Sequence, residues 1–420
     1  MRIAHVLRKY NPAEWGGTET ALQRLFNSLR HQHIDSVVYC PKIETGQLPD
    51  PFKECGCEVK RFNACVPVWG ISRQRRCQLV SVGGNLMSFD LLGSLWQDRD
   101  LALVHAHTMG RIGAIGNLVA KRRKIPFVIT VHGGLLDLPP QLKASFENPQ
   151  SDGVEWGKAF GFFLRTRHLV DEADAIVTCN PREAELLKAK HPKQRIITQP
   201  HGVVAEAYRV NHRDAALMAF PQIHCKEILL CVGRVDPVKN QGWLTQQAPE
   251  FLKRHPGAVL VFLGSCTDAA YGEQIDRDIK QLGLQDRVFM FGGFQPQDPR
   301  LIGLLQLAQV VLVPSVSETF GIVILEAWAA GAPVIASRTS GALSLMKDHE
   351  NGWLFDLQKP EEFHAALDEA MLKPDLAAEY AAKGGQLVDE KYDAGVLALG
   401  MKRFYETLIE EKHALRDSSR

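Results

Sequence analysis

The feature that most constrains this chain is an alternation of short apolar runs with helix-periodic stretches, and it occurs twice. Strand-like runs are expected over 3–7, 36–39, 101–105, 127–131, 175–178 and 195–198. Leu22, Leu25, Phe26 and Leu29 recur at i, i+3, i+4 and i+7 after the first run, and a second helical stretch covers 112–123. Residues 204–222 lose this periodicity and read as a linker. A second series of runs follows at 228–232, 259–263, 288–291, 310–313 and 334–336. Strands separated by helices pair in parallel, because a parallel neighbour is reached only by a crossover. The expectation is α/β: two Rossmann-like, doubly wound domains with ligands at the carboxyl ends of their strands. A chain of 420 residues also exceeds what one hydrophobic core usually serves.

Several function classes drop out. Lys and Arg total 49 against 48 Asp and Glu, a net charge of +1, so no chain-wide surface for nucleic acid is expected. The longest apolar run, 321–336, is broken by Glu326 and is shorter than a spanning helix requires. Residues 3–7 are too short for a signal-peptide core, and Arg8 and Lys9 follow at once. Nine unevenly spaced cysteines point to reduced thiols and a cytoplasmic location, and Cys55, Cys57 and Cys65 lack a fourth ligand at metal-site spacing. Neither GxGxxG nor GxxxxGK[ST] occurs, which removes the main support for a dinucleotide oxidoreductase or a P-loop nucleotidase.

Three loops carry the chemistry. Gly16 and Gly17 lie between the first strand and its helix, where they either admit an anion to the helix amino terminus or simply make a tight turn. Arg234 and Lys239 leave the strand at 228–232 on one short loop; a guanidinium fork with an ammonium suits a diphosphate, and the alternative is a solvated loop. Residues 314–321 run from the strand at 310–313 into a helix over 322–330, so amides of Phe320, Gly321 and Ile322 sit at a helix start. Glu326 interrupts that apolar helix. A carboxylate there needs partners, either ligand hydroxyls or a salt bridge.

The spacing of Glu318 and Glu326 within SETFGIVILEAWAAGAPVIAS, the GRVDPVK loop and the amino-terminal GGTE together resemble the retaining glycosyltransferases of family four, over nearly the whole chain. The resemblance implies GT-B architecture: an acceptor-side domain over 1–205 completed by a helix at about 390–420, a nucleotide-sugar domain over 206–389, and a cleft that both face. It implies that Arg234 and Lys239 hold the donor diphosphate, Glu326 the ribose, and Glu318 the donor sugar's hydroxyls. Backbone groups of Thr319, Phe320 and Gly321 would contact sugar and phosphate, with Gly16 and Gly17 closing from the other domain, and the main chain over 290–293 would face the base. His132 matches the histidine over the donor sugar, while His107 and Asp137 would lie on the acceptor side. His132, Glu318, Arg234 and Lys239 form the expected catalytic set. Two departures stand out: His201-Gly202-Val203-Val204 replaces the family's Asn-Gly-Val-Asp, and Ser344 replaces its usual Glu.

The implied activity is a retaining, metal-independent hexosyl transfer from a nucleotide-diphosphate sugar, a co-substrate and not a cofactor, to an acceptor hydroxyl in surface polysaccharide or glycolipid assembly. Transfer to a small soluble acceptor, and nucleotide-sugar binding without transfer, are the alternatives. Expected partners are the donor and a glycan or lipid-linked acceptor, with no nucleic acid and with peripheral contact at the inner membrane face left open. Asp98-x-Asp100 imitates the metal-binding DxD of another glycosyltransferase architecture, but it precedes a strand and reads as a turn. Asp171-Glu172-Ala173-Asp174 reads as a helix end, His105 as structural, 121–124 as a basic helix end, and Phe160, Phe162 and Phe163 as core.

Overall fold

The computed structural model describes the chain except residues 13–15, 43–49, 83, 85, 133–153, 296 and 419–420. It divides into two compact units, Met1–Pro200 with Gly395–Arg420, and His201–Ala394.

The first unit contains β1 (Arg2–Val6), β2 (Asp35–Pro41), β3 (Glu58–Phe62), β4 (Val68–Trp69), β5 (Leu101–Ala106), β6 (Phe127–Val131), β7 (Val154–Glu155), β8 (Ala175–Thr178) and β9 (Ile196–Thr198). Seven of these form a parallel sheet in the order β3-β2-β1-β5-β6-β8-β9; β4 and β7 make a short antiparallel pair. Side chains alternate across the sheet, so each strand feeds two cores. One face packs Ile3, Val38, Leu103 and Val128 beneath Leu22, Phe26 and Leu29 of α1 (Gly17–His31). The other packs Ala4, Val37, Val104 and Ile129 beneath Ile112, Ile115 and Val119 of α2 (Gly110–Arg123). Lys121, Arg122 and Arg123 occupy the last turn of α2, where cations suit the exposed carbonyls. Arg123 donates there to the main-chain oxygens of Leu95 and Leu101, and Lys121 pairs with Glu172. Lys121, Arg122 and Lys124 are exposed, so the run is a solvated helix end as expected, with Arg123 and Lys121 also tying down neighbouring segments.

Phe162 and Phe163 do not join the core. In α3 (Lys158–Phe163) they are 81% and 79% exposed, which corrects the sequence expectation. Asp98 is buried and accepts hydrogen bonds from Arg2 (3.1 Å), Lys60 (2.7 Å) and Tyr39 (2.8 Å). Burial raises its pKa, but these donors outweigh it and bring the carboxyl down to about 2. It fastens β1, β2 and β3 together, so its role is structural.

The second unit contains β10 (Glu227–Val232), β11 (Ala258–Leu263), β12 (Val288–Phe291), β13 (Ala308–Val313), β14 (Val334–Ser337) and β15 (Trp353–Phe355), all parallel, in the order β12-β11-β10-β13-β14-β15. Leu229, Cys231, Leu260, Phe262 and Leu312 pack against Leu244 and Phe251 of α4 (Gln241–Arg254). Three further helices matter below: α5 (Ile322–Ala329), α6 (Ser340–Leu345) and α7 (Pro374–Leu387). Residues 204–222 are not a linker. They form helices Ala205–Arg209 and Arg213–Ala219, with Tyr208, Ala216 and Phe220 buried in this unit. The last helix, α8 (Ala394–Asp417), returns Ala398, Met401, Tyr405 and Leu408 to the core of the first unit.

Candidate functional site

In the second unit the strand order reverses between β10 and β13, the point at which loops on the two sides diverge and leave a crevice. Both charged loops leave these two strands and are fastened to each other. Val316 N–H donates to Val238 O at 2.8 Å, and Asn240 Nδ2 donates to Pro314 O at 3.1 Å. Asp236, itself buried, caps the first loop by accepting from the amides of Val238 and Lys239, both at 3.0 Å. Its other oxygen meets the Arg234 guanidinium at 3.0 Å. Gly233 has φ +152°, and its carbonyl packs so close to Gly264 that a side chain there would collide at 1.9 Å.

Lys239 Nζ pairs with Glu318 Oε2, a contact 79 residues apart in sequence. The main chain of Glu318 is held in turn by α6: its carbonyl accepts from Gly341 N–H at 2.8 Å and from Ser340 Oγ at 3.3 Å. Any side chain at 341 would lie 2.6 Å from that carbonyl and from Phe320 N. Gly321, with φ +91°, opens α5 without a side-chain cap, so the first-turn amides of that helix have no side-chain acceptor among the described residues. Thr319, Phe320 and Ile322 surround that turn. Glu326 is 8% exposed and accepts from the Tyr208 hydroxyl at 2.9 Å. Its partner is thus a phenol from the segment expected to be linker, and sequence reasoning missed Tyr208. Ser344 donates to Gly341 O at 2.7 Å within α6.

The first unit has its own cavity, about 1360 Å³, at the carboxyl ends of β1, β5 and β6, again where the strand order reverses. Thr18, Glu19, His107, Thr130 and His132 line it, with Arg8, Lys9, Arg111, Lys158, Arg165 and Arg167. Among the described residues, six cations therefore face one lining carboxylate. Arg111 and Arg165 are paired with Glu155 and Glu172, whereas no described carboxylate pairs with Arg8, Lys158 or Arg167. Gly16 caps α1 through its main chain, accepting from Thr20 N and Oγ1 at 3.0 Å, and Gly17 opens the helix. Asp137 lies outside the described residues, as do Glu14 and Trp15.

Histidines fill the floor of this cavity. His107 Nδ1 is 3.0 Å from His132 Nε2, and His107 Nε2 is 3.0 Å from His5 Nδ1. His105 stands beside them with both nitrogens engaged, one to Tyr405 Oη at 2.6 Å and one to Thr130 Oγ1 at 2.5 Å, so it is structural as expected. Burial lowers the pKa of His5 to about 3, and burial, with His5 and His132 nearby, holds His105 well below the usual range. His5, His105 and His107 are close enough for a metal trio, yet the ring nitrogens of His105 and His107 already address other groups.

Residues 218–386 match the Glycosyl transferases group 1 family, and residues 16–202 match the Glycosyl transferase 4-like domain. The chain belongs to the family-four glycosyltransferases. It is 31% identical to the D-inositol 3-phosphate glycosyltransferase of Acidothermus cellulolyticus over 68% of this chain and 61% of that protein. It is 26% identical to the like-named protein of Corynebacterium diphtheriae over 88% and 86%. The first of these matches spans less than two thirds of the relative's length. Among solved structures, Anabaena HepE in complex with UDP superposes with a TM-score of 0.73 at 16% identity, covering 97% of this chain and 100% of that one. Sucrose-phosphate synthase from Thermosynechococcus elongatus gives 0.72 at 20%, covering 98% and 99%. These likenesses establish the GT-B fold, with its two Rossmann-like domains.

Proposed function

We propose that this family-four glycosyltransferase moves a sugar from a nucleotide-diphosphate sugar to an acceptor hydroxyl, retains the anomeric configuration and needs no metal ion. The observation that carries the reading is the pair of fastened loops at the β10/β13 switch point, which groups Arg234, Lys239, Glu318 and the start of α5. A diphosphate arriving there meets two cations and a helix amino terminus, which together neutralise the leaving charge. Retention through a covalent intermediate needs a carboxylate nucleophile at the anomeric carbon. Glu318 is assigned to the sugar's hydroxyls instead, so the departing phosphate deprotonates the acceptor on the same face. The protein supplies orientation and electrostatic stabilisation.

For the acceptor, a small phosphorylated polyol or sugar is the reading best supported. Arg8, Lys158 and Arg167 line the first unit's cavity without carboxylate partners among the described residues, and relatives are named for inositol 3-phosphate. The exposed Phe162 and Phe163, beside the same cavity, favour a lipid-linked glycan as the second reading. The experiment is a panel of UDP-, GDP- and ADP-sugars against sugar phosphates in solution and lipid-linked glycans in vesicles. Nucleotide release and NMR of the product's anomeric proton are followed. An inverted product refutes the mechanism, and thermal stabilisation by nucleotides with no turnover across the panel refutes transfer. His132→Ala should lower turnover by about 10²–10³ while leaving nucleoside diphosphate affinity nearly unchanged.

A further inference from the structure

Cys55-Gly56-Cys57 closes the single helical turn Pro51–Glu54 and leads into β3. Gly56 takes φ +80°, its N–H donates to Lys53 O at 2.9 Å, and Cys57 N–H donates to Phe52 O at 2.9 Å. This is a Schellman turn, in which glycine supplies the left-handed residue. It reverses the chain between the two cysteines, so their side chains do not point to opposite faces as they would along a strand. The two Sγ atoms lie 3.8 Å apart, in van der Waals contact.

Packing accounts for one of these sulfurs. Cys57 is 7% exposed and belongs to the core beneath α1, whereas Cys55 is half-buried at the edge of that core. A cation covers the turn: Arg30, in the last turn of α1, donates Nη1 to Cys55 O at 3.4 Å, and its guanidinium occupies the space a side chain at 56 would need. The two thiols are not equivalent. With Cys57 as donor across the contact, the hydrogen bond and the nearby Arg30 lower the pKa of Cys55, while the same bond and burial raise that of Cys57. As a thiol, Cys55 donates to Phe52 O at 3.2 Å.

We propose that Cys55 and Cys57 form a peroxide-reactive dithiol, a modification site that closes to an internal disulfide. The Cys55 thiolate attacks one oxygen of the peroxide. The O–O bond breaks, the departing hydroxide takes up a proton to become water, and Cys55 is left as a sulfenic acid, oxidised by two electrons. Cys57 Sγ then attacks Cys55 Sγ. The S–S bond forms as the S–O bond breaks, and hydroxide leaves with the Cys57 proton as a second water. Closing the sulfurs from 3.8 Å to about 2.0 Å is a movement confined to the turn, whose Gly56 is exposed. A disulfide spanning one intervening residue makes a small, strained ring, and strained disulfides are the readily reduced ones, so a thiol reductant reopens it. The site uses no residue assigned to the donor or the acceptor.

The test is graded hydrogen peroxide on the full chain, followed by alkylation of the remaining thiols, tryptic digestion and mass spectrometry. Cleavage after Lys53 and Lys60 isolates residues 54–60, whose only cysteines are these two. That fragment should lose two hydrogens and both alkylation sites together, at doses that leave the exposed Cys225 and Cys266 alkylated, and dithiothreitol should restore it. In Cys57→Ser the sulfenic acid on Cys55 has no thiol to meet and should be trapped by dimedone. Sulfinic or sulfonic acid on the wild-type fragment, without the loss of two hydrogens, overturns the proposal whether or not any variant folds. So does oxidation of Cys225 and Cys266 ahead of the pair. A folded Cys57→Ser protein that yields no dimedone adduct overturns Cys55 as the attacking sulfur.

Discussion

Burying neutral histidines should make the first unit sensitive to mild acid, and His5 allows the size to be worked out. Its pKa is about 3 in the fold, because burial penalises the charged ring, against the usual 6.5 once the chain unfolds. Below pH 6.5 the unfolded chain takes up a proton that the folded chain refuses. Stability is therefore full above about pH 7.5 and declines as the pH falls toward 3, by at most about 1.4 kcal/mol per pH unit for this group. Between pH 7.5 and 5.0 the loss from His5 alone comes to about 2 kcal/mol. His105 is shifted in the same direction by burial and by His5 and His132, so it adds to the effect. Asp98, held near 2, stays ionised throughout this window and does not confuse it. The assay is urea unfolding at pH 7.5 and 5.0 for the wild type and His5→Phe, comparing how much each loses between the two. The variant should lose about 2 kcal/mol less. An equal loss in both would refute the reasoning, since it would mean that His5 accepts its proton in the fold.

Arg234→Ala and Lys239→Ala should each weaken nucleoside diphosphate binding by roughly ten- to hundredfold in calorimetry, the scale of one charged hydrogen bond. Glu318→Gln removes the carboxylate that pairs with Lys239, so it should leave diphosphate affinity intact or tighter while turnover falls. Turnover should survive EDTA, because cationic side chains and helix-start amides are assigned to the leaving charge; complete loss restored by added metal would contradict this. Gly384→Ala should lower the melting temperature despite a helix-propensity gain of about 1 kcal/mol. The added carbon would lie 2.4 Å from the buried Trp328 indole, and overpacking of that kind costs about 1–3 kcal/mol.

Most of the strands that could be read directly were those buried on both faces, since a parallel sheet covered by helices leaves continuous apolar runs such as Phe127–Val131 and Ala258–Leu263. Besides the short antiparallel pair β4 and β7, the two strands of the parallel sheets that escaped sit at sheet edges. Glu58–Phe62 carries Glu58, Lys60 and Arg61, and Trp353–Phe355 is only three residues long. Residues 204–222 looked like linker because helices of five and seven residues are too short to display a 3.6-residue period. The two charged loops were legible through local spacing, whereas the Lys239–Glu318 pair needed the strand order to bring its halves together. His5 was invisible for the same reason. It is a lone histidine in an apolar run until β1 is set beside β5, where it falls in register with His105. Phe162 and Phe163 show the converse limit: an aromatic run says nothing about which way it faces.

The return of α8 has a consequence for how the chain is made. Met401, Tyr405 and Leu408 complete the packing beneath β1 and β2, yet they leave the ribosome after the whole of the second unit. The sheet synthesised first must wait for them with one apolar face open, while the intervening 194 residues of the second unit emerge and close on themselves. At cellular elongation rates that wait lasts about 10–40 s, long enough for chaperone capture or misassociation. The unit begun first thus finishes after the one begun second, and the aggregation hazard of the nascent chain is concentrated in that open face.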